Sequence, residues 1–420
     1  MEETIVMWVV LGTIFVEACL DFCTVMTPVH HARSAVEEES EGESCGVGFA
    51  TASWQNIYAQ MDNNAKWVLA SGRSVENVIY EACKLMNSRT REWSPARFFI
   101  LDILDPVVKG WFRENEWAEI TARLSPLPDP ESMLLDSLKR FRTIETTTML
   151  REVLTSGLLP NAATYDQTLH SILQWAEMVI RKYLMLLEAP TNPLTRQHQE
   201  GWYGYNIWSH ILDDCFLDLK GLTVERKEVH CQASSERKNR HRESPTERRR
   251  VGNRLDGIIH TLEDRPLEYG GMEDGPTFSD VKNTKWLSDK FKLVENLRDM
   301  LSRLHEEVHY DSRITRLVKV VGILTGGLRL QYSLLGYPGV GYVCLLQSGE
   351  VMQVPITVKG LPLLLDMLAV VSQLKQVIKL SFEAVENRFF AQKEDASCDG
   401  LVGGNAMRSQ ARLGWAPCTP

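Results

Sequence analysis

The sequence predicts an α+β protein with a helical N-terminal half and a C-terminal half in which helices flank a small mixed sheet. Three observations lead to this prediction. Apolar residues recur at three-four spacing within residues 54–189, short apolar runs follow at 255–262 and 267–272, and an amphipathic pattern covers 281–308. Three-four spacing is typical of helices that bury one side, whereas short apolar runs between turn residues are typical of strands.

Composition places the chain among ordinary soluble proteins. It has 420 residues, of which 44% are hydrophobic and 24% charged, enough for two or three domains. The net charge of -9 excludes a wholly basic nucleic-acid coat, although a local basic patch remains compatible with it. The nine cysteines are scattered and form no C-x-x-C pair. This pattern indicates reduced thiols in the cytoplasm or nucleus rather than a disulfide framework or a zinc knuckle.

The N-terminal segment, residues 1–50, is open to two interpretations. Ile5 to Val16 is an apolar run of twelve residues, shorter than the roughly 20 that span a membrane. The start is acidic, with Glu2 and Glu3, whereas a signal peptide starts with positive charge. We predict a soluble or poorly ordered start that ends in an acidic linker, and the alternative is a single membrane anchor over residues 5–26.

The helical domain is predicted over residues 51–200. Its clearest helix carries Trp175, Val179 and Tyr183 at three-four spacing. Prolines at 126, 128 and 130 interrupt the pattern, and a second proline break at 190–193 sets the boundary.

The second domain is predicted over residues 201–392. In chain order it comprises a helix at 205–219, a basic segment at 225–254, strands at 255–262 and 267–272, a helix at 281–308, β-like residues at 317–334, a hairpin of 342–347 with 351–357, and a last helix at 361–390. Residues 393–420 are rich in small residues and are predicted to be a disordered tail.

Three acidic residues in this domain are candidate metal ligands. Asp256 lies in the first strand pattern, Glu268 lies in the second, and Glu273 follows a Gly-Gly pair. Carboxylates on adjacent buried strands are costly unless they are paired or bind a cation. In the alternative interpretation, Asp256 and Glu268 are acids at a strand edge and a turn that face water, and Glu273 is the polar start of a loop.

The element order resembles the core of the PD-(D/E)XK nuclease superfamily. The resemblance implies one acid on a central strand, and an acid plus a lysine on the next strand. The acids would hold a divalent cation, usually magnesium, and the lysine would orient or activate the attacking water. Asp256 would match the first acid and Glu268 the second.

This chain departs from that pattern at the lysine, because the expected Glu-x-Lys reads Glu268-Tyr269-Gly270. Some members of the superfamily supply the lysine from the following helix, and the candidate here is Lys290. The apolar stripe of this helix comprises Leu287, Phe291, Val294, Leu301 and Leu304. We place Lys290 inside this stripe, and Lys285 and Lys292 on the solvent side of the helix. The alternative for Lys290 is a side chain that extends past core residues or pairs with a nearby acid.

The same region is also similar to a family of proteins of unassigned function from early-diverging, Mucor-like fungi. The shared motifs are Arg-x-Asp-Gly-Ile at 254–258, Leu-Glu-x-Gly-x-x-Glu at 267–273 and Arg-Asp-Met-Leu at 298–301. An earlier shared block lies within 93–119. This resemblance implies no activity.

A basic run precedes the Asp256 strand. Arg248, Arg249, Arg250 and Arg254 are candidates for binding the phosphates of DNA or RNA. The run could equally be a nuclear-import signal or a solvated loop.

Two further motifs are interpreted as structural. His305-Glu306-Glu307-Val308-His309 matches the H-E-x-x-H zinc motif, but no third histidine follows at the metzincin spacing, so we interpret it as a chance helix C-terminus. Residues 337–341 form a Pro/Gly turn without the Lys-Ser/Thr of a phosphate loop.

Two hypotheses of function follow. In the first, the C-terminal half is a magnesium-dependent nuclease-like or nucleic-acid-binding domain. In the second, the same fold has lost catalysis and acts as an interaction module, which the missing strand lysine favours.

Overall fold

The computed structural model describes residues 50–398, apart from residues 241, 243 and 245. The candidate membrane anchor at 5–26 lies outside the described residues, as does the tail beyond Cys398. The part of the chain that the structure describes packs as one compact unit and confirms the α+β prediction.

The N-terminal half is mostly helical. Its helices are α1 (Ala50–Ala59), α2 (Val75–Leu85), α3 (Ser88–Glu92), α4 (Pro106–Lys109), α5 (Glu114–Thr121), α6 (Ser132–Lys139), α7 (Thr147–Thr155), α8 (Gln167–Leu187) and α9 (Glu200–Tyr203). Helix α8 confirms the three-four pattern, because Trp175, Val179 and Tyr183 are all buried. Asp166 caps its first turn by accepting a hydrogen bond from the Leu169 N–H at 3.1 Å.

The helix predicted at 205–219 is present in an unusual form, as a π-helix over Gly204–Asp213 followed by a 3₁₀ turn over Asp214–Phe216. The later helices are α10 (Gln232–Asn239), α11 (Thr284–Glu307), α12 (Ser312–Thr315) and α13 (Leu361–Cys398). Helix α13 continues past its predicted end at residue 390 into the segment predicted to be disordered.

The strands form one mixed sheet. They are β1 (Ile100–Asp102), β2 (Leu222–His230), β3 (Arg254–Thr261), β4 (Glu268–Gly275), β5 (Lys319–Gly326), β6 (Arg329–Gly336), β7 (Cys344–Ser348) and β8 (Met352–Gln353). The order is β1-β7-β6-β5-β4-β3-β2, with β8 paired to β6. The β1–β7 and β4–β5 pairs are parallel and the other pairs are antiparallel. The strands predicted at 255–262 and 267–272 are confirmed.

Two edge strands were not predicted. Strand β1 comes from the half predicted to be helical, and β2 lies within the predicted basic segment. Four consecutive charged residues, Glu225–Glu228, lie in β2, a composition typical of strands at the edge of a sheet. The predicted hairpin of 342–347 with 351–357 is wrong, because β7 lies between β1 and β6 while β8 pairs with β6.

The hydrophobic core crosses the boundary predicted near residue 200. A large cluster joins α8 and the π-helix to the sheet, α11 and α13. A smaller cluster joins α2 and α5 to residues 342–345. Glu76, which is fully buried, accepts hydrogen bonds from the backbone N–H groups of Trp67 and Tyr342 and links the parts of this second cluster.

Two glycines set the position of α11 on the sheet. Gly271 of β4 pairs directly with Gly322 of β5. A Cβ atom on Gly322 would lie 2.7 Å from Leu297 Cδ1, and one on Gly271 would lie 3.2 Å from Leu293 Cδ1. Because glycine has no side chain, α11 can approach the sheet closely at these two positions. This contact fixes the rotation of α11 and therefore the direction in which its polar side chains point.

One helix among the described residues is long and apolar enough to cross a membrane, over Val358–Asn387, and 67% of its most apolar window is buried inside the protein. The core helix of a soluble protein passes the same test, so this observation favours neither localisation.

Candidate divalent-cation site

Asp256 and Glu273 meet at one end of the β3–β4 strand pair. Asp256 lies near the start of β3 and Glu273 near the end of β4, and these strands are antiparallel. Gly257 pairs with Met272, so the next position along the register places Asp256 opposite Glu273. The Asp274 N–H donates a hydrogen bond to Asp256 Oδ2 at 2.7 Å and fixes that carboxylate at the end of β4. The structure thus brings together two of the three predicted ligands.

Lys292 of α11 completes this group, although it was predicted to face solvent. Its Nζ lies 2.8 Å from Glu273 Oε1 and 3.0 Å from Glu273 Oε2. The Glu273 side chain is only 3% exposed, whereas that of Lys292 is 42% exposed. Lys292 is therefore a partly exposed side chain whose ammonium group pairs with a buried carboxylate. We use "acid–lysine cluster" below for Asp256, Glu273 and Lys292.

Lys290, the predicted catalytic lysine, contacts a different acid. Its Nζ lies 3.0 Å from Asp102 Oδ2 at the end of β1. Residues two apart on a helix point in directions about 200° apart, so Lys290 and Lys292 diverge toward different strands. The role of Lys290 as partner of Asp256 is wrong, and the alternative interpretation as an ion pair is confirmed.

The error arose from the apolar stripe assigned to α11. That stripe included Leu287, which is 48% exposed, whereas Trp286, Leu293 and Leu297 are buried. A second stripe at three-four spacing is polar, and several of its members form ion pairs. It comprises Lys285, Asp289, Lys292, Asn296, Asp299 and Arg303. This polar stripe is a sequence signal that would have identified Lys292.

Glu268 lies at the opposite end of β4 from Glu273. The two residues are five positions apart, about 16 Å along an extended strand. Glu268 accepts hydrogen bonds from the backbone N–H groups of Gln232 at 2.6 Å and Ala233 at 2.8 Å, and from Cys231 Sγ at 3.4 Å. These are contacts at the first turn of α10, so Glu268 caps that helix. The prediction that Glu268 shares a cation with Asp256 is therefore wrong.

Burial dominates the electrostatics of the acid–lysine cluster. It raises the pKa of Glu273 to about 8, although the hydrogen bond and charge of Lys292 act to lower it. Burial also raises the pKa of Asp256, against the hydrogen bond from the Asp274 N–H and the charge of Lys292. Both carboxylates are therefore costly to ionise as they stand, and a bound cation would favour their charged forms.

Further charged groups surround the cluster. Asp274 accepts a hydrogen bond from Thr325 Oγ1 at 2.7 Å and pairs with Arg226 Nη1 at 3.1 Å. Burial raises the pKa of Glu200 in α9, and the charges of Asp256 and Asp274 raise it further, so Glu200 lies within electrostatic range of the cluster. Sequence reasoning missed Asp274 and Glu200. Asp274 directly follows Glu273 in the chain, whereas the position of Glu200 depends on the tertiary fold.

The predicted nucleic-acid-binding arginines lie on the surface after α10. Arg248, Arg249 and Arg250 are exposed and form no ion pair with the residues that the structure describes. The backbone of this segment is held by α10, because the Arg250 carbonyl accepts hydrogen bonds from Ser235 Oγ and Asn239 Nδ2. Arg254 pairs with Glu228 at 3.3 Å, so its charge is partly matched.

The H-E-x-x-H motif lies at the C-terminal end of α11. Helix α11 ends at Glu307, His305 is 1% exposed, and His309 lies beyond the helix with φ of 51°. The two histidines therefore do not face one side of a helix, which confirms the interpretation as a helix C-terminus. Within residues 50–398, outside the three gaps, no group of three or more His, Cys, Asp or Glu side chains is arranged to hold a metal ion.

Comparisons with protein-family models, with curated proteins and with solved structures gave no match to this chain. The chemistry of the site therefore has to be inferred from its own residues. Two carboxylates and one ammonium group at one end of the β3–β4 strand pair could bind a hard cation and place a proton donor beside it.

Proposed function

We propose that this protein binds a divalent cation, magnesium by preference, at Asp256 and Glu273 and cleaves DNA or RNA there. The observation that carries the proposal is the placement of Lys292 Nζ 2.8 Å from Glu273, beside an acid of the adjacent strand. It corresponds to the two acids and one lysine that the resemblance to the PD-(D/E)XK superfamily implies. Glu273 replaces Glu268 in the set, and Lys292 replaces Lys290.

The donor set fits magnesium better than a softer metal. Both ligands are carboxylates, and Mg²⁺ is commonly held by one or two carboxylates while it keeps several waters. The absence of a third protein ligand is therefore compatible with this ion. A bound cation of this kind supplies an activated water and offsets the charge that develops on a phosphodiester.

The residues of the cluster have separate roles in this proposal. Asp256 and Glu273 would hold the cation, and its charge would offset the cost of ionising these two acids, whose pKa values burial raises. Lys292 releases its contact with Glu273 and orients water or phosphate from the solvent side, where its side chain is partly exposed. The exposed Arg248, Arg249 and Arg250 would bind phosphates of the nucleic acid by charge alone.

The second candidate function is an interaction module that binds the cation or the nucleic acid without cleaving it. Gly275, two residues after Glu273, stands where a strand lysine would be, and this departure favours the second candidate. The two candidates differ only in turnover, so one set of variants distinguishes them.

The test uses the full chain, because β1 from the N-terminal half belongs to the sheet. Calorimetric titration with Mn²⁺ measures cation binding, and cleavage of plasmid DNA and of single-stranded RNA measures turnover. Asp256→Asn and Glu273→Gln should each weaken Mn²⁺ binding about tenfold or more and abolish cleavage. Lys292→Met should keep Mn²⁺ binding and lose cleavage.

Lys290→Met is the matched control, since it removes a lysine from the same helix that pairs with Asp102 instead. It should keep both activities. Cation binding without cleavage in the wild-type chain would support the interaction module. Mn²⁺ binding that is absent, or that is unchanged in Asp256→Asn, would refute the cation site itself.

A further inference from the structure

A second pocket lies at the opposite end of the sheet from the acid–lysine cluster. It is a small cavity of about 30 Å³ that opens to solvent, beside the start of β5 and the end of β6. Lys319 begins β5, while Thr325, beside Asp274, lies six residues further along. This spacing is about 20 Å on an extended strand, so the pocket is separate from the proposed cation site.

Among the residues that the structure describes, three cationic residues and no acidic residue line this pocket. They are Arg123 after α5, Arg316 at the end of α12, and Lys319. None of the three forms an ion pair with the described residues, whereas the buried Arg237 pairs with Asp299. Burial lowers the pKa of Lys319, and no acid among the described residues acts to raise it. The pocket is therefore a concentration of unmatched positive charge.

Two of these cations lie beside glycines of the β6 end and the following turn. Gly339 has φ of 83°, and a Cβ atom there would lie 2.5 Å from Arg316 Nε, so the Arg316 side chain lies against this turn. The stem of Lys319 lies across Gly336, since a Cβ atom there would be 3.3 Å from Lys319 Cγ. The Lys319 N–H donates to Ser381 Oγ at 2.9 Å and anchors the start of the strand. The Pro/Gly turn at 337–341 thus contributes to a charged pocket, although it lacks the sequence of a phosphate loop.

We propose that this pocket binds the phosphate group of a small phosphorylated molecule. Arg123, Arg316 and Lys319 provide the charge. Ser125 and Gln347 also line the pocket, and Lys319 Nζ donates a hydrogen bond to the Ser125 carbonyl at 3.5 Å, which places that ammonium group beside Ser125. A phosphate accepts several charge-assisted hydrogen bonds at once, and guanidinium groups suit its geometry. A site of this kind, remote from the cation, would serve binding or regulation rather than catalysis.

The test is calorimetric titration of the full chain with inorganic phosphate in EDTA, against sodium chloride at equal ionic strength. Phosphate should bind and chloride should not. Arg316→Gln and Lys319→Met should each weaken phosphate binding about tenfold or more. Arg313→Gln, which removes an exposed arginine that pairs with Asp311, should leave it unchanged. Circular dichroism confirms that each variant is folded.

Two further arms identify what is bound. Asp256→Asn should bind phosphate as the wild type does, so the pocket can be judged even if the proposed nuclease function fails. An oligonucleotide with a 5′-phosphate should compete with inorganic phosphate, and the same oligonucleotide without it should not. Equal competition by both would show that the pocket binds a polynucleotide backbone and would overturn the small-molecule proposal, as would unchanged phosphate binding in Arg316→Gln.

Discussion

Gly322→Ala is expected to destabilise the protein by crowding the contact between α11 and the sheet. The new Cβ would lie 2.7 Å from Leu297 Cδ1 and 3.1 Å from Leu293 Cδ2. Carbon atoms in contact prefer about 3.5–4.0 Å, so α11 or its leucines must shift by about 1 Å. The polar stripe of the same helix carries Lys292, so a shift of α11 would also move that lysine.

The expected magnitude follows from two opposing effects. Overpacking in a core costs about 1–3 kcal/mol. Replacing glycine by alanine in an allowed conformation reduces the entropy of the unfolded chain and contributes about 0.4–1 kcal/mol of stability. The net loss in the free energy of unfolding should be about 1–2 kcal/mol.

Urea unfolding followed by circular dichroism measures this loss as a shift in midpoint at constant slope. Leu297→Val removes the atom that the new Cβ would meet, and by itself it should cost about 1 kcal/mol. The double variant Gly322→Ala/Leu297→Val should then be no less stable than Leu297→Val alone. The effects of the two substitutions on the free energy of unfolding would then differ from additivity by about 1 kcal/mol or more. Gly204→Ala is the control, since a Cβ there meets nothing within 4 Å. Additive single and double effects, or a neutral Gly322→Ala, would refute the proposed contact.

Three further predictions concern two buried groups, Glu268 and His305, and the exposed His309. Burial raises the pKa of Glu268 to about 7, above its ordinary 4.5, so the folded state holds a proton that the unfolded state loses. The free energy of unfolding should therefore fall by up to about 3 kcal/mol between about pH 4.5 and 7, at about 1.4 kcal/mol per pH unit. Urea midpoints measured at pH 5 and pH 7.5 check this decrease. In Glu268→Gln the part of the decrease that comes from Glu268 should be absent. Burial lowers the pKa of His305 to about 3, so the unfolded state binds a proton on this residue more readily than the folded state does. The stability of the protein should therefore fall as the pH falls from about 6.5 toward 3. Thermal unfolding should show this loss in the wild type, and the His305→Leu variant should lack it. Added zinc should leave the melting temperature unchanged in both wild type and His309→Ala, and a zinc-dependent rise that His309→Ala removes would contradict our interpretation of the H-E-x-x-H motif.

The part of the candidate site that the sequence predicted depends on local patterns. Asp256 could be found because it interrupts an apolar strand run, and Glu273 because it follows a Gly-Gly pair. Glu268 fits the same local pattern equally well, so only the antiparallel register distinguishes it from Glu273. Lys290 and Lys292 are two positions apart on one helix and therefore face different directions. Because the prediction assigned the wrong buried side to α11, it placed Lys290 at the candidate site and Lys292 in solvent.

The sequence by itself determined the α+β class, the two central strands, the long helix α11 and two acids of the candidate site, because hydrophobic periodicity and turn residues act within a few positions of each other. Only the tertiary structure decided that β1 joins the sheet beside β7, that Glu268 caps α10, and that Lys292 contacts Glu273. These features depend on contacts between residues far apart in the chain, such as the parallel pairing of Ile100 with Cys344. Such contacts form where apolar surfaces fit together, as α11 does on Gly271 and Gly322, and the order of residues along the chain does not encode that fit in any single segment.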